Sequence, residues 1–253
     1  MNAIRLLTFD LDDTLWDLRP VLMRADQITF DWLTDHAPAL ANHFTLEQFR
    51  EYRLQLALKY PQLQHFISEL RLRAQREVLQ QSGYSETAAQ QLSQQAFEVF
   101  MRARHDVNFF ESALDVLTQL KKSFVLAAIT NGNASPSRLG LDHLFAFTIT
   151  SENLARPKPH PEPFLAALQQ SQCAPAQAIH IGDHVDHDIR GAMQAGLFAI
   201  WVNRENAEWP RTDGPRTDGP GTDGPGADMP SAVIRHLSEL PDAVRAIAGD
   251  FHP

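Results

Sequence analysis

The sequence predicts a doubly wound, Rossmann-like α/β fold with a block of helices inserted into it. Two observations carry that prediction. Short apolar, β-rich runs alternate with helix-length segments over most of the chain, the pattern of βα units in a parallel sheet. One stretch, residues 16–106, breaks the alternation and holds no convincing strand.

Core strands are read at residues 4–9, 124–130, 147–150, 178–182 and 198–202, with 233–234 as a short sixth. Each is a brief apolar run bounded by turn or helix signals. Helices at 112–122, 162–170 and 186–195 fall between them. The inserted block reads as four helices, at 19–36, 46–59, 62–81 and 86–104. Thr45 with Gln48 three residues on is a good capping box for the second, whereas Ser85 with Ala88 is a poor one for the fourth. The expected organisation is a discontinuous core, residues 1–16 and 107–253, with a helical cap or lid at 17–106.

Residues 211–230 are four imperfect pentads, RTDGP, RTDGP, GTDGP and GADMP. Pro and Gly at that density exclude helix and sheet interiors, so an expanded surface loop without a catalytic role is expected. The aspartates Asp213, Asp218, Asp223 and Asp228 lack the alternating oxygen ligands and terminal Glu of a calcium loop.

Composition narrows the function. The 253 residues suffice for one large domain or two moderate ones. A net charge of −9 and the lack of a basic run leave no footprint for nucleic acid. The single cysteine, Cys173, allows no intrachain disulfide and fits a reducing compartment. The chain enters a strand at once, without the charged and apolar regions of a signal peptide, and no apolar run approaches a membrane span. A soluble cytoplasmic protein without nucleic-acid or membrane partners is expected; its oligomeric state is left open.

Four segments hold the candidate chemistry. Asp10, Asp12 and Asp13 crowd the end of the first strand, where their mutual repulsion calls for a cation or a bound substrate. Carboxyl ends of strands in an open parallel sheet are where ligands bind. A solvated acidic turn would explain this segment alone, but not the other three in order. Thr130, Asn131 and Gly132 end the second strand with a hydroxyl, an amide and free N–H groups suited to phosphate oxygens. Lys158 stands among Pro157, Pro159, Pro161 and Pro163, so its ammonium is pinned in an extended segment, able to neutralise a phosphoryl group and carboxylates together. Asp183 ends the fourth strand and Asp188 begins the next helix, where its charge favours the dipole. Asp183 could complete a magnesium site with Asp10 and Asp12. His184 and His187 invite a transition-metal alternative, though no further His or Cys completes it.

Asp10-x-Asp12-x-Thr14, Thr130-Asn131-Gly132, Lys158-Pro159 and Gly182-Asp183-x4-Asp188 resemble the four ordered motifs of the haloacid dehalogenase-like (HAD) hydrolase superfamily. The helical insert is similar to that family's α-helical cap. The resemblance implies that Asp10 attacks phosphorus and forms an aspartyl-phosphate, while Asp12 protonates the leaving oxygen and then activates water. It further implies that Thr130, Asn131 and Lys158 bind the phosphoryl group. Mg²⁺ would be held by Asp10, the Asp12 carbonyl and Asp183, with Asp188 in support. Asp12 points to the phosphatase branch, since dehalogenases protonate no ester oxygen; a 2-haloacid dehalogenase or sugar-phosphate mutase of the same superfamily and a non-catalytic small-molecule-binding module are the alternatives. A finer likeness, in DLDDTLWDLR, TNGNA and WVNREN, is to bacterial phosphatases of flavin mononucleotide and of the phosphorylated ribitylamino-uracil precursor of riboflavin.

Overall fold

A computed structural model describes residues 3–63, 65–154, 156–210 and 229–249 of the chain. The pentads fall almost wholly outside the described residues. Six strands form one parallel sheet: β1 Leu6–Phe9, β2 Val125–Thr130, β3 Phe147–Thr150, β4 Ala178–Gly182, β5 Phe198–Val202 and β6 Ala232–Ile234. Their order is β3-β2-β1-β4-β5-β6, every neighbouring pair parallel. The order reverses between β1 and β4, and such a reversal opens a crevice at the carboxyl ends of the strands. Register places Phe9 beside Ala128 of β2 and Ile181 of β4, so the residues that follow these strands converge on one place.

Both faces of the sheet are covered, which explains the continuous apolar runs. Leu7, Phe9, Leu126, Ala128, Ile179 and Ile181 point to one side and pack with α5 (Ala113–Leu120) and α9 (Leu240–Ala248). Leu6, Ala127, Ile129 and Ala178 point to the other and meet Phe164, Ala167 and Leu168 of α7 (Glu162–Ser171). A single turn, α6 (Ser151–Leu154), follows β3.

The insert is helical, as the sequence predicts: α1 Leu18–His36, α2 Leu46–Lys59, α3 Ile67–Gln81 and α4 Glu86–Arg104. The Thr45 capping box is complete, and the Ser85 hydroxyl also accepts from Ala88 N, so the fourth helix is capped better than its sequence suggests. Leu33, Phe49, Val78, Leu79, Ala89 and Ala96 form the insert's own core. The chain leaves and re-enters the sheet domain where Trp16 bridges to Phe109.

Two expected helices differ. The one read at 62–81 is a 3₁₀ turn, Pro61–Leu63, and then α3 from Ile67. The one read at 186–195 is a π-helical turn, Val185–Arg190, followed by the short α8, Gly191–Gln194. Its cause is local: His184 Nδ1 accepts from both Asp186 N and His187 N, and Asp188 Oδ2 accepts from His184 N at 3.0 Å. The wide turn folds Asp188 back under β4. A Cβ at Gly182 would stand 2.4 Å from Asp188 Cγ, so only glycine fits there.

Candidate active site

Lys158 is the centre of the site. Its Nζ donates to Asp10 Oδ1 at 2.6 Å, Asp188 Oδ1 at 2.5 Å and the Ile129 carbonyl at 2.8 Å, and the residue is 2% exposed. Burial alone would discharge the amine, but the two carboxylates hold it firmly protonated. Asn131 fixes the lysine's backbone: its Oδ1 accepts from Lys158 N at 2.8 Å and its Nδ2 donates to the Lys158 carbonyl at 2.9 Å. The Asn131 amide, expected on the phosphate, thus places Lys158 with its oxygen and one of its two N–H groups.

Asp10 follows β1 and is nearly buried. Burial raises its carboxyl well above the ordinary range, Lys158 pulls it down, and Asp188 and Asp183 push it up again. Asp188 also starts from a burial penalty, yet Lys158 and then His180 hold it well below the usual carboxylate value. It stands beneath Lys158 as a counter-ion, not at the head of a regular helix as expected. Asp183 accepts from Thr14 Oγ1 at 3.0 Å, and burial, with the charge of Asp188 adding, pushes it up to about 7.

Asp10, Asp183 and Asp188 offer oxygens that all lie within 4.8 Å of one another. Hard oxygen donors with a surplus of negative charge, one of them holding its proton near neutrality, fit a magnesium ion. The side chain of Asp12 is not in this group, so only its backbone carbonyl is left for the role expected of it. His184 and His187 stack at 4.0 Å, and His184 Nδ1 is taken by the cap of the π turn, which removes the transition-metal alternative.

Thr130 Oγ1 accepts from Gly132 N at 2.9 Å, which leaves its own proton to donate to a ligand oxygen. Asp12 is gripped from the insert: Arg104 Nη2 lies 2.8 and 2.6 Å from its two oxygens, and Trp16 Nε1 donates to Oδ1 at 3.0 Å. Arg104 Nε also donates to Asn133 Oδ1 at 3.0 Å. A Cβ on Gly132 would stand 2.6 Å from Asp12 Oδ2, so that glycine makes room for the acid.

Two contributors escaped the sequence reading. Arg104, 1% exposed, closes the last turn of α4, where a basic residue reads as a complement to the helix dipole. His180 is fully buried in β4, and burial lowers its basicity so that it is neutral. Its Nε2 then donates to Asp188 Oδ1 at 3.3 Å and its Nδ1 accepts from Thr8 Oγ1 at 2.8 Å. An imidazole inside an apolar strand was a legible signal for it.

An opening of about 710 Å³ leads to the site, lined by Asp13, Arg19, Phe110, Asp183, Trp201 and Arg204 among others. Among the described residues no helix is long and apolar enough to cross a membrane.

A parallel sheet with this strand order, four acidic and basic side chains converging at its switch point and a helical insert after the first strand define a hydrolase family. Residues 4–196 match the family described as haloacid dehalogenase-like hydrolase, and the chain belongs to it. The chain is similar to the 5-amino-6-(5-phospho-D-ribitylamino)uracil phosphatase YigB of Escherichia coli, at 31% identity over 84% of this chain and 89% of that one. A glyceraldehyde 3-phosphate phosphatase of Methanothermobacter thermautotrophicus is 27% identical over 81% of this chain and 88% of its own. Among solved structures, a 2-haloacid dehalogenase from Pseudomonas syringae pv. Tomato DC3000 superimposes with TM-score 0.83 at 41% identity, covering 96% and 99% of the two chains.

Proposed function

We propose that the protein is a Mg²⁺-dependent phosphomonoesterase that hydrolyses a small phosphorylated metabolite through an aspartyl-phosphate on Asp10. The observation that carries this reading is Asp12, a carboxylate two residues from the nucleophile and fixed by Arg104 and Trp16. A displaced halide leaves as an anion and needs no acid, whereas an alkoxide needs a proton.

In the first step an Asp10 oxygen attacks phosphorus, the bond to the ester oxygen breaks, and Asp12 gives that oxygen its proton. In the second a water attacks the same phosphorus and loses a proton to Asp12, and the bond to Asp10 breaks. Lys158 offsets charge on Asp10 and on the phosphoryl oxygens through both steps, and the Thr130 hydroxyl donates to one of those oxygens. A magnesium ion held by Asp10, Asp183 and the Asp12 carbonyl would supply further charge neutralisation. Asp188 and His180 keep Lys158 in place.

For the substrate, the likeness to YigB supports a phosphate ester of the riboflavin series, flavin mononucleotide or a phosphorylated ribitylamino-uracil. A second reading, 2-haloacid dehalogenase, is favoured by the likeness to the Pseudomonas structure. Phosphate release from p-nitrophenyl phosphate and chloride release from 2-chloropropionate, each with Mg²⁺ and with chelator, separate them. Mg²⁺-dependent phosphate release without chloride release is expected; the reverse would replace the first reading with the second.

A further inference from the structure

The insert carries a charge cluster that the chemistry at Asp10 does not use. Asp26 of α1, 3% exposed, accepts from Arg71 Nη1 at 2.6 Å and from Arg53 at 3.0 and 3.3 Å, with Arg50 Nε at 3.5 Å. Arg71 lies over the Phe100 ring, its guanidinium carbon 3.4 Å from the centroid, and so anchors the cluster from inside. Three guanidiniums have more N–H donors than one carboxylate can accept. Burial and the charge of Arg53 push Arg71 down to about 9, a sign that positive charge here is not fully offset. Arg53 and Arg50 remain part-exposed, at 20% and 29% of their side chains, and carry more N–H donors than Asp26 and the Met23 carbonyl take up.

Those donors border a pocket of about 400 Å³ between α1 and α2, walled on its apolar sides by Leu18, Leu22, Met23 and Leu54. Arg19 and Asp13 line both this pocket and the opening that contains Asp183, so the two spaces adjoin. Among the described residues the Arg19 guanidinium has no partner. The volume suits a ring-sized group. Four aliphatic side chains would be idle around a simple anion. A neutral planar ring answers every feature: its faces meet the aliphatic side chains, its carbonyls accept from the arginines, and a ring N–H meets Asp13.

We infer that this pocket holds the far end of the substrate, a planar heterocycle bearing carbonyl acceptors, through Arg19, Arg50, Arg53, Leu22, Met23 and Leu54. The inference rests on the phosphatase reading above and makes these residues specificity determinants of that reaction. Because Asp26 and Arg71 hold Arg53 in place before any ligand arrives, little ordering is lost on binding.

Flavin mononucleotide and ribitol 5-phosphate share one phosphorylated chain and differ by the ring, so they form the test pair, with p-nitrophenyl phosphate and 3-phosphoglycerate alongside. The Mg²⁺-loaded wild type should favour flavin mononucleotide over ribitol 5-phosphate by tenfold or more in kcat/KM. Arg53→Met and Arg19→Gln should each shrink that ratio at least fivefold, mainly through KM for the flavin ester. Arg19 is exposed and unpaired, so its variant keeps the test valid where Arg53→Met fails to fold. Equal kcat/KM for the pair, a ratio unmoved in Arg19→Gln, or a preference for 3-phosphoglycerate would overturn the inference. Failure of the wild type to release phosphate from any of the four esters would instead remove the phosphatase reading beneath it.

Discussion

Asp10→Asn separates the chemistry of the nucleophile from its effect on the fold. As a carboxylate, Asp10 faces two others within 4.8 Å and one ammonium at 2.6 Å. At an effective dielectric of about 20, each repulsion at that limit is about 3.5 kcal/mol and the attraction to Lys158 about 6 kcal/mol. The charge interactions therefore nearly cancel, and what remains is the penalty of burying a charge, the largest influence on this group. The direction follows from linkage. A carboxyl whose folded pKa is raised destabilises the native state above its unfolded value, so an amide relieves that loss at neutral pH. The amide oxygen still accepts from Lys158, and Asp188 remains as the lysine's counter-ion. In chelator at pH 7 the variant should be more stable by roughly 0–2 kcal/mol, a Tm rise of about 0–8 °C for a chain of this size. With Mg²⁺ present the gap should shrink or reverse, because only the wild type gains the full ligand set. Turnover of p-nitrophenyl phosphate should be lost under both conditions. A Tm fall of more than about 4 °C in chelator would refute the charge balance, and retained turnover would refute Asp10 as nucleophile.

Three further outcomes follow from the same geometry. Asp12→Asn should slow alkyl phosphates by about 10²- to 10⁴-fold and aryl phosphates far less; an equal loss for both would leave Asp12 with no acid role. Arg104→Met frees Asp12 and Asn133 together, so alkyl phosphates should again lose more than aryl ones, with partial rescue by Arg104→Lys; a uniform loss that lysine does not rescue would make Arg104 purely structural. In the helical insert, burial would raise Asp26, but Arg71 and Arg53 bring it below the ordinary value, so its stabilisation is complete above about pH 4 and is lost as pH falls through the folded pKa. Asp26→Asn should therefore destabilise the protein by about 3–5 kcal/mol at pH 7 in urea melts, and the two unfolding curves should converge in acid; a gap that persists at low pH would contradict the ion-pair account.

Much of this architecture is legible in the sequence because the signals are local. A buried parallel strand is a short apolar run wherever it stands, and all six are visible, β6 by two of its three residues. The four segments of the candidate site are visible because each ends a strand or sits among prolines. What escaped depends on pairing across the chain. Arg104 meets Asp12 over 92 residues of separation, and nothing near Arg104 in sequence distinguishes it from a solvated helix end. Asn131 carries the right chemistry for phosphate, but nothing near it in sequence records that its amide also holds the backbone of Lys158, 27 residues away. The π turn at Val185–Arg190 needs Asp188 beneath Gly182, a fold-back that helical periodicity does not record. The cluster around Asp26 joins α1, α2 and α3, and its arginines read singly as surface charge.

The central claim is a covalent bond between Asp10 and phosphorus, and acid-quench mass spectrometry tests it most directly. The Asp12→Asn variant lacks the base for the second step, so the intermediate should accumulate when it is mixed with p-nitrophenyl phosphate and Mg²⁺. Quenched within the first turnover and digested, it should yield a peptide heavier by one phosphoryl group, with the modification on Asp10 and none in chelator. Phosphate release without any adduct, or an adduct on another residue, would contradict the account.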